Sequence, residues 1–197
     1  MSRNAAYAVR EAAVRRRDAA VSDAELLARV DAGDLSPLGV LYDRYHATVR
    51  QFVLRATAGG AHADDLTHEA FLALTRMAGR YDGRESARPL LLGIASKLVQ
   101  QHRRGAARWS EVMQSFASVA APREAPTPER TASVTEEMRR FDAALARLSE
   151  EKRLVVLLIE AEGLSGDEVA RILEVPAGTV WTRLHYAREE LRKALAP

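Results

Sequence analysis

The sequence predicts an all-α protein made of two small helical domains joined by a linker. Aromatic residues are only 6% of the 197 residues, whereas alanine, leucine, arginine and glutamate, which favour helices, are abundant. Apolar residues recur at helical spacing on both sides of a polar, alanine-rich stretch that contains Pro122, Pro126 and Pro128. No segment shows the alternation of a strand, so we expect no sheet.

Composition excludes several classes of protein. The chain has no cysteine, which excludes a disulfide scaffold, a cysteine-based zinc finger and a thiol nucleophile, and is compatible with a reducing cytoplasm. No apolar run approaches the roughly 18–20 residues that span a bilayer. Residues 1–21 carry arginines but lack the apolar core of a signal peptide, so we treat them as an N-terminal extension and expect a cytoplasmic protein.

The first predicted domain covers residues 22–105. The sequence Ser22-Asp23-Ala24-Glu25 has the pattern of a capping box and begins a short helix that ends at Gly33. Ser36-Pro37 is typical of an N-cap followed by a first-turn proline, and it begins a long helix to about Ala58.

Two further helices complete this domain. Asp64 is predicted to cap the third helix, whose buried face includes Leu66, Phe71 and Leu74. A polar loop over residues 81–86 precedes the fourth helix, which is expected to end at the basic cluster His102-Arg103-Arg104.

Residues 106–132 are predicted to be a linker, and residues 133–197 a second domain of four helices. In this domain Ser133-Val134-Thr135-Glu136 and Ser165-Gly166-Asp167-Glu168 have the capping-box pattern, and Ser149 begins the second helix. The fourth helix begins near Pro176.

The segment from Ser165 to Leu195 has the spacing of a helix-turn-helix, in which the second helix enters the major groove of DNA. Its predicted core consists of Val169, Ala170, Leu173, Val175, Val180, Leu184 and Ala187. On the outer face, Trp181, Thr182, His185 and Tyr186 are placed to contact bases, and Arg183 and Arg188 to contact phosphates.

Two sets of motifs resemble the extracytoplasmic-function (ECF, group 4) sigma factors of the sigma-70 family. The first set resembles region 2 and consists of Leu41-Tyr42-Asp43-Arg44-Tyr45, residues 63–72, Leu91-Leu92-Gly93-Ile94-Ala95 and Arg103-Arg104. The second set resembles region 4 and consists of residues 142–153, Glu162-Gly163-Leu164-Ser165, Glu168-Val169-Ala170 and residues 178–188. The resemblance implies promoter recognition for transcription initiation, with core RNA polymerase and promoter DNA as expected partners. The sequence neither requires nor excludes an anti-sigma factor as a further partner. It implies no catalysis, cofactor or metal.

In relatives, the region 2 helix with the Asp-Asp-Leu-Thr motif docks on the polymerase. By resemblance the polymerase-binding residues here are Asp64, Asp65, Leu66, Thr67, His68, Glu69, Phe71 and Leu72. The loop that follows captures an unpaired base of the −10 element, a role that suits aromatic rings and arginine planes. By resemblance the −10 residues are Tyr81, Asp82, Arg84, Ser86, Lys97, Gln101, Arg103 and Arg104.

Region 4 of relatives recognises the −35 element. The residues that correspond here are Thr179, Trp181, Thr182, Arg183, His185, Tyr186 and Arg188. The chain departs from the family pattern at Leu90, where relatives have tryptophan, and at Lys97, where many have asparagine. Trp181-Thr182 and Tyr186 replace more basic residues, so the expected −35 surface is unusually aromatic.

Other functions were weighed on the same residues. His62, Asp64, Asp65, His68 and Glu69 lack the spacing of a helical zinc site, and no serine lies in a legible His-Asp constellation, so a metalloenzyme and a hydrolase are disfavoured. Two alternatives remain open: a conventional helix-turn-helix regulator with a helical sensor domain, and a non-DNA adaptor on a sigma scaffold, in which Trp181 and Tyr186 bind a protein.

Overall fold

The computed structural model describes residues 20–60, 62–83, 86–116 and 136–196, with side chains given up to Gly105 in the third segment. Within these ranges the chain forms eight α-helices and no strand, which confirms the predicted all-α class. Most of the N-terminal extension, Arg84 in the −10 loop, residues 117–132 of the linker and most of the capping box at Ser133 lie outside the described residues.

The N-terminal domain consists of four helices. They are α1 (Asp23–Asp31), α2 (Leu38–Ala56), α3 (Ala63–Met77), which continues into a 3₁₀ turn (Ala78–Arg80), and α4 (Arg88–Phe116). Helices α2, α3 and α4 pack on one another around Phe52, Leu74 and Leu91, all of them almost fully buried. Helix α1 covers one end of this core, and the Ser22 hydroxyl accepts a hydrogen bond from the Glu25 N–H at 3.2 Å, so the predicted start of α1 is confirmed.

Three helix boundaries differ from the sequence predictions. Pro37 and not Ser36 occupies the N-cap position of α2, which begins at Leu38 and has no side-chain cap. Asp64 does not cap α3, because the helix already begins at Ala63 and His62 occupies the cap position without a side-chain bond. Asp64 lies instead in the first turn, where its charge interacts favourably with the helix dipole. Helix α4 does not end at the basic cluster but continues through Gly105 to Phe116. The cost of one glycine in a helix, about 1 kcal/mol relative to alanine, is too small to end it among good helix formers.

The C-terminal domain also has four helices. They are α5 (Glu136–Arg147), α6 (Glu150–Val156), α7 (Gly166–Leu173) and α8 (Ala177–Leu195). Helix α6 continues as a π-helical turn over Leu157–Ala161, a feature that the sequence pattern did not predict. Helices α6 and α7 both pack on α8.

Helices α7 and α8 form the predicted helix-turn-helix. The capping box at Ser165 is present in both directions: its hydroxyl accepts from the Glu168 N–H, and the Glu168 carboxylate accepts from the Ser165 N–H at 2.8 Å. Glu174 ends α7 in the left-handed conformation, with φ of 56°, and so reverses the chain before Pro176. Val169, Val180, Leu184 and Ala187 are buried between the helices, which confirms the predicted core.

The two domains pack against each other. The C-terminal end of α2 contacts α5 and α6, and α4 contacts α7. A methyl group placed on Gly93 of α4 would lie 3.5 Å from Cγ1 of Ile172 in α7. This packing places the N-terminal half of α4 directly beside the helix-turn-helix.

Candidate polymerase and nucleic-acid interfaces

The predicted polymerase-binding residues divide between two sides of α3. Asp64, Asp65, His68, Glu69 and Leu72 are exposed, whereas Leu66, Thr67 and Phe71 are buried in the domain core. The side chain of Leu72 is 66% exposed, which is unusual for a large aliphatic residue and marks a surface suited to a partner. We name the five exposed residues the acidic face.

Ion pairing and aromatic stacking with side chains of α2 hold the acidic face of α3 in place. The Arg50 Nε donates to Asp64 Oδ1 at 2.6 Å, and this hydrogen bond lowers the pKa of the Asp64 carboxyl. His68 Nδ1 lies 2.8 Å from the Asp64 carbonyl oxygen, and His68 Nε2 lies 3.2 Å from the Tyr42 hydroxyl. Because a carbonyl can only accept, Nδ1 carries the proton and Nε2 accepts from Tyr42. Sequence reasoning assigned no role to Tyr42, although its helical spacing from Tyr45 and Val49 already placed it on or near the buried face of α2.

The described part of the −10 loop lies at the junction of α3 and α4. Tyr81 and Ser86 are half-buried and Asp82 is exposed. Ser86 Oγ accepts from the Arg88 N–H at 3.2 Å and lies 3.0 Å from the Tyr45 hydroxyl, which ties the end of the loop to α2.

Asp23 is the buried anchor of this loop, a role that the sequence did not reveal. Its side chain is only 3% exposed and accepts from Arg44 at 2.5 Å, from the Tyr45 hydroxyl, and from the Ala87 N–H at 2.7 Å. Burial and the bond to Asp23 raise the pKa of Tyr45, so that phenol stays protonated and donating at neutral pH. The sequence did not indicate this role because the capping-box pattern assigns functions to Ser22 and Glu25 alone. Asp23 is then expected only to interact favourably with the dipole at the start of the helix.

The predicted −10 residues of α4 are exposed, and two of them form ion pairs with the C-terminal domain. Lys97, Gln101 and Arg104 follow one another at spacings of four and three residues, so they share a side of the helix. Lys97 Nζ lies 2.6 Å from Glu174 Oε1. Arg103 lies 3.0 Å from Glu150 and 2.8 Å from Glu151; burial raises the pKa of Glu150, and the Arg103 charge opposes that shift.

A cleft of about 230 Å³ separates this surface from α7. Four of the predicted −10 residues line it, namely Tyr81, Asp82, Ser86 and Lys97. Its apolar wall is formed by Met77, Leu90, Ile94 and Ile172, and its rim on α7 includes Glu168 and Arg171. Leu90, where the family has tryptophan, thus supplies apolar surface to what we name the interdomain cleft.

The predicted −35 residues lie on the outer side of α8. Trp181 is 54% and Tyr186 55% exposed, Thr182, His185 and Arg188 are exposed, and Thr179 and Arg183 are half-buried. This arrangement is the one that a recognition helix needs, because Val180, Leu184 and Ala187 occupy the buried side.

Several of these side chains have partners within the domain. One face of the Trp181 indole lies on Gly166, where an added methyl group would come within 2.6 Å of Cζ2. Lys152 Nζ lies 5.9 Å from the centre of the Tyr186 ring, and Arg188 is paired with Glu160. Trp181 is therefore held by α7 and exposes only part of its ring, which limits how far it can turn toward DNA.

Nowhere in residues 20–60, 62–83, 86–116 or 136–196 do three metal-ligating side chains come together. Over the same ranges no helix is both long and apolar enough to span a membrane.

Comparisons with known proteins match both halves of the chain. The family model for sigma-70 region 2 matches residues 41–109, and that for sigma-70 region 4 matches residues 138–191. The ECF RNA polymerase sigma-E factor of Escherichia coli K12 is 30% identical over 185 residues, covering 90% of this chain and 96% of the relative. The RNA polymerase sigma-H factor of Pseudomonas aeruginosa is 28% identical over 182 residues, covering 89% and 94%.

Two solved structures share the fold. The sigma factor RpoE of Bartonella quintana, in complex with the anti-sigma factor NepR, matches with a TM-score of 0.61 and 23% identity over 78% of this chain and 93% of that one. CnrH, in complex with the cytosolic domain of CnrY, matches with a TM-score of 0.60 and 22% identity over 88% and 96%. The match of the N-terminal half to region 2 leaves the sensor-domain alternative without support.

Proposed function

The chain belongs to the extracytoplasmic-function sigma factors of the sigma-70 family, and on that premise we propose which of its surfaces contact core polymerase and which contact promoter DNA. As an RNA polymerase sigma factor it directs promoter recognition, and it acts by binding and not as an enzyme. In our proposal the acidic face of α3 docks on core polymerase. The loop at Tyr81 and the exposed side of α4 bind the −10 element, and α8 binds the −35 element.

The division of α3 into a buried and an exposed side carries the docking proposal. Of the eight residues assigned to polymerase, only the five of the acidic face can touch a partner without unfolding the domain, and they combine negative charge with the exposed aliphatic side chain of Leu72. Leu66, Thr67 and Phe71 then support the docking helix from within the core.

The docking proposal is tested by charge reversal at Asp65. We expect Asp65→Arg to lower the affinity for core polymerase by at least about tenfold, which corresponds to roughly 1.4 kcal/mol. Leu72→Ala should act in the same direction and leave stability within about 0.5 kcal/mol, because the side chain is exposed. Affinity is measured by fluorescence titration of labelled sigma factor with core enzyme.

Glu137→Arg is the matched control, since it reverses an exposed acid on α5, far along the chain from α3. It should leave core affinity unchanged. Unchanged affinity of a folded Asp65→Arg and a folded Leu72→Ala protein would refute docking through α3. Promoter-dependent transcription by core polymerase with the wild-type chain, on a genomic fragment library, tests the function as a whole.

We also propose an anti-sigma partner and a cytoplasmic location. The solved RpoE structure that shares this fold contains an anti-sigma factor, and core polymerase and promoter DNA are in the cytoplasm of a bacterium. Co-purification of a tagged chain from cells, before and after envelope stress, followed by fractionation, tests both proposals.

A further inference from the structure

A chain of hydrogen bonds connects the buried carboxylate of Asp23 with the end of the −10 loop. The Tyr45 hydroxyl donates to Asp23 Oδ2, and the same hydroxyl lies 3.0 Å from Ser86 Oγ. Ser86 Oγ also accepts from the Arg88 N–H at 3.2 Å. Tyr45 therefore lies between a buried acid of α1 and a loop residue that the proposed function assigns to DNA.

The direction of these hydrogen bonds is fixed at the Asp23 end. The Asp23 carboxylate is paired with Arg44 at 2.5 Å, and a carboxylate can only accept hydrogen bonds. The single proton of the Tyr45 hydroxyl is therefore donated to Asp23, and the raised pKa of Tyr45 keeps that proton in place at neutral pH. In its contact with Ser86, the Tyr45 oxygen can then act only as the acceptor.

This direction leaves Ser86 with no proton to give to DNA. A serine hydroxyl has one proton to donate and two lone pairs with which to accept. The proton is donated to Tyr45, and one lone pair accepts from the Arg88 N–H. The second lone pair is what Ser86 can offer to a ligand. Because Ser86 is only half-buried and lines the interdomain cleft together with Tyr81, a base that enters there meets an acceptor.

A hydrogen-bond acceptor distinguishes thymine from the other three bases. Adenine, cytosine and guanine each carry an exocyclic amine that donates hydrogen bonds, whereas thymine has carbonyl oxygens and a methyl group at its edges. The one ring N–H of thymine lies between its two carbonyl oxygens. Two acceptors that face each other leave both groups unpaired, and burying them in this way weakens binding. An unpaired base is read by hydrogen bonds to its exposed edge, so this difference affects capture.

We propose that Asp23 and Tyr45 are positioning residues that set the base preference of the −10 loop: they hold Ser86 as an acceptor, and the loop captures a base with an exocyclic amine in preference to thymine. This inference rests on the proposed −10 function of the loop. Asp23 and Tyr45 act through the hydroxyl of Ser86 and not by touching DNA themselves.

Base analogues that lack only the amine test this preference. The captured position is the −10 base at which Tyr81→Ala changes promoter selection by the holoenzyme formed from core polymerase and the full chain. At that position, purine replaces adenine, 2-pyrimidinone replaces cytosine, or hypoxanthine replaces guanine. The −10 element of the template is unpaired beforehand, so that weaker base pairing of the analogue does not contribute. We expect the wild-type holoenzyme to bind the analogue about fivefold more weakly, the change that one hydrogen bond supports.

Substitutions at Ser86 and Tyr45 test how the preference arises. Ser86→Ala should remove the effect of the amine, and Ser86→Thr, which keeps the hydroxyl, should retain it. Tyr45→Phe removes the acceptor of the Ser86 proton, so the hydroxyl becomes free to donate to a thymine carbonyl. Affinity for the thymine template should then rise about fivefold above that of the wild-type protein, a gain that structural damage does not produce. Adding Ser86→Ala to Tyr45→Phe should abolish this gain, because Tyr45 acts through Ser86.

Ser96→Ala is the matched control. It removes another hydroxyl from the N-terminal domain, one that donates to the Leu92 carbonyl oxygen within α4 at 2.7 Å, and should leave the effect of the amine unchanged. Equal wild-type affinity for a base and its analogue, or thymine as the captured base, would overturn the role of Ser86 as an acceptor.

The Tyr45 and Tyr81 variants decide the two remaining points. A uniform fall in the affinity of Tyr45→Phe for all templates would overturn the positioning role of Tyr45, since a purely structural residue acts on every base alike. If Tyr81→Ala alters selection at no position of the −10 element, the proposed function of the loop fails. That result differs from loss of the amine effect alone, which overturns only the present inference.

Discussion

Arg153 is the residue on which the junction of the two domains depends. Its guanidinium donates to four carbonyl oxygens, those of Leu145, Ala146, Leu148 and, across the domain boundary, Ala56. The first three lie in and just after the last turn of α5, where backbone carbonyls lack partners within the helix. Burial lowers the pKa of Arg153 from its ordinary value, yet arginine remains protonated in proteins, so the charge is retained in the core.

Replacing Arg153 should therefore destabilise the whole protein. Arg153→Met keeps the length and apolar stem but leaves four carbonyls without a donor, and we expect a loss of about 3 kcal/mol in the free energy of unfolding. Urea denaturation followed by circular dichroism measures this loss. Arg192→Met, at an exposed arginine of α8, is the control and should change stability by less than about 0.5 kcal/mol. Equal denaturation midpoints for the two variants would contradict the role of Arg153.

At the scale of elements, the helix-turn-helix owes its geometry to its two ends. The capping box at Ser165 fixes the start of α7, and the left-handed Glu174 fixes the turn into α8. Gly166 leaves room for the Trp181 ring between them, so the aromatic surface of α8 is positioned by α7. The aromatic surface proposed for the −35 element is thus part of a packed unit, whereas His185 and Thr182 are less constrained by α7.

Substitutions on α8 should separate base reading from phosphate contact. We expect Trp181→Ala and His185→Ala to shift the preferred −35 sequence, because aromatic rings and imidazole contact base edges. Arg188→Ala should instead weaken binding to all sequences and flatten the salt dependence, since a phosphate contact carries no sequence information. Selection of promoters from a randomised −35 library by the reconstituted holoenzyme measures both effects.

A conservative variant at Gly166 distinguishes base recognition by Trp181 from packing of its ring on α7. Gly166→Ala displaces the Trp181 ring without removing it, so it should alter −35 preference less than Trp181→Ala. If Trp181→Ala leaves promoter preference unchanged but abolishes binding of a regulatory protein, the aromatic surface serves a partner, as the adaptor alternative holds.

At the scale of the whole molecule, ion pairs between the domains contribute to their packing against each other. The N-terminal domain presents cations along α4, and the C-terminal domain presents acids at the ends of α6 and α7. Because most of these pairs are partly exposed, each contributes modestly, and their number together with the apolar contact at Ile172 stabilises the packing of the two domains.

The Lys97–Glu174 ion pair can be used to test the contact between the two domains without DNA. The hydrogen bond from Lys97 lowers the pKa of Glu174 below its ordinary value of 4.5. The ion pair therefore stabilises the packing of the two domains fully at pH values above 4.5. This stabilisation is lost as the pH falls through the lowered pKa of Glu174. Lys97→Met should return the pKa to the ordinary value, as followed by NMR titration of the side-chain carboxyl. Lys193→Met is the control, and a Glu174 pKa unaffected by Lys97→Met would show that the pair does not persist in solution.

Limited proteolysis addresses the division into domains. The sequence predicts a first cut between about Gly105 and Ala132, and the extension of α4 to Phe116 narrows the expected site to the later part of that range, because helices resist proteases. Residues 1–104 and 133–197 are expected to fold alone with marginal stability, as small domains do. A first cut within α2 would refute the domain boundaries.

The sequence by itself determined the helical class, the helix-turn-helix and the family. These depend on short-range patterns: apolar spacing, capping residues at Ser22 and Ser165, and motifs in a fixed order. It could not settle the end of α4, because a single glycine is a weak signal against a run of helix formers. Helical spacing did place Phe71 on the buried face of α3 and left Leu72 off it, but the resemblance assigned both residues to polymerase, and only the packing of the helices shows that Phe71 is covered.

Only the tertiary structure revealed Asp23 as the anchor of the −10 loop, Arg153 as the link between the domains, and the pairing of Lys97 with Glu174. In each case the partners lie far apart along the chain: 64 residues from Asp23 to Ala87, 97 from Ala56 to Arg153, and 77 from Lys97 to Glu174. Local sequence patterns reflect interactions between residues that lie within a few helical turns of each other. A charged side chain pairs with a residue that is distant in the sequence only when packing has brought the two elements together and removed the water between them.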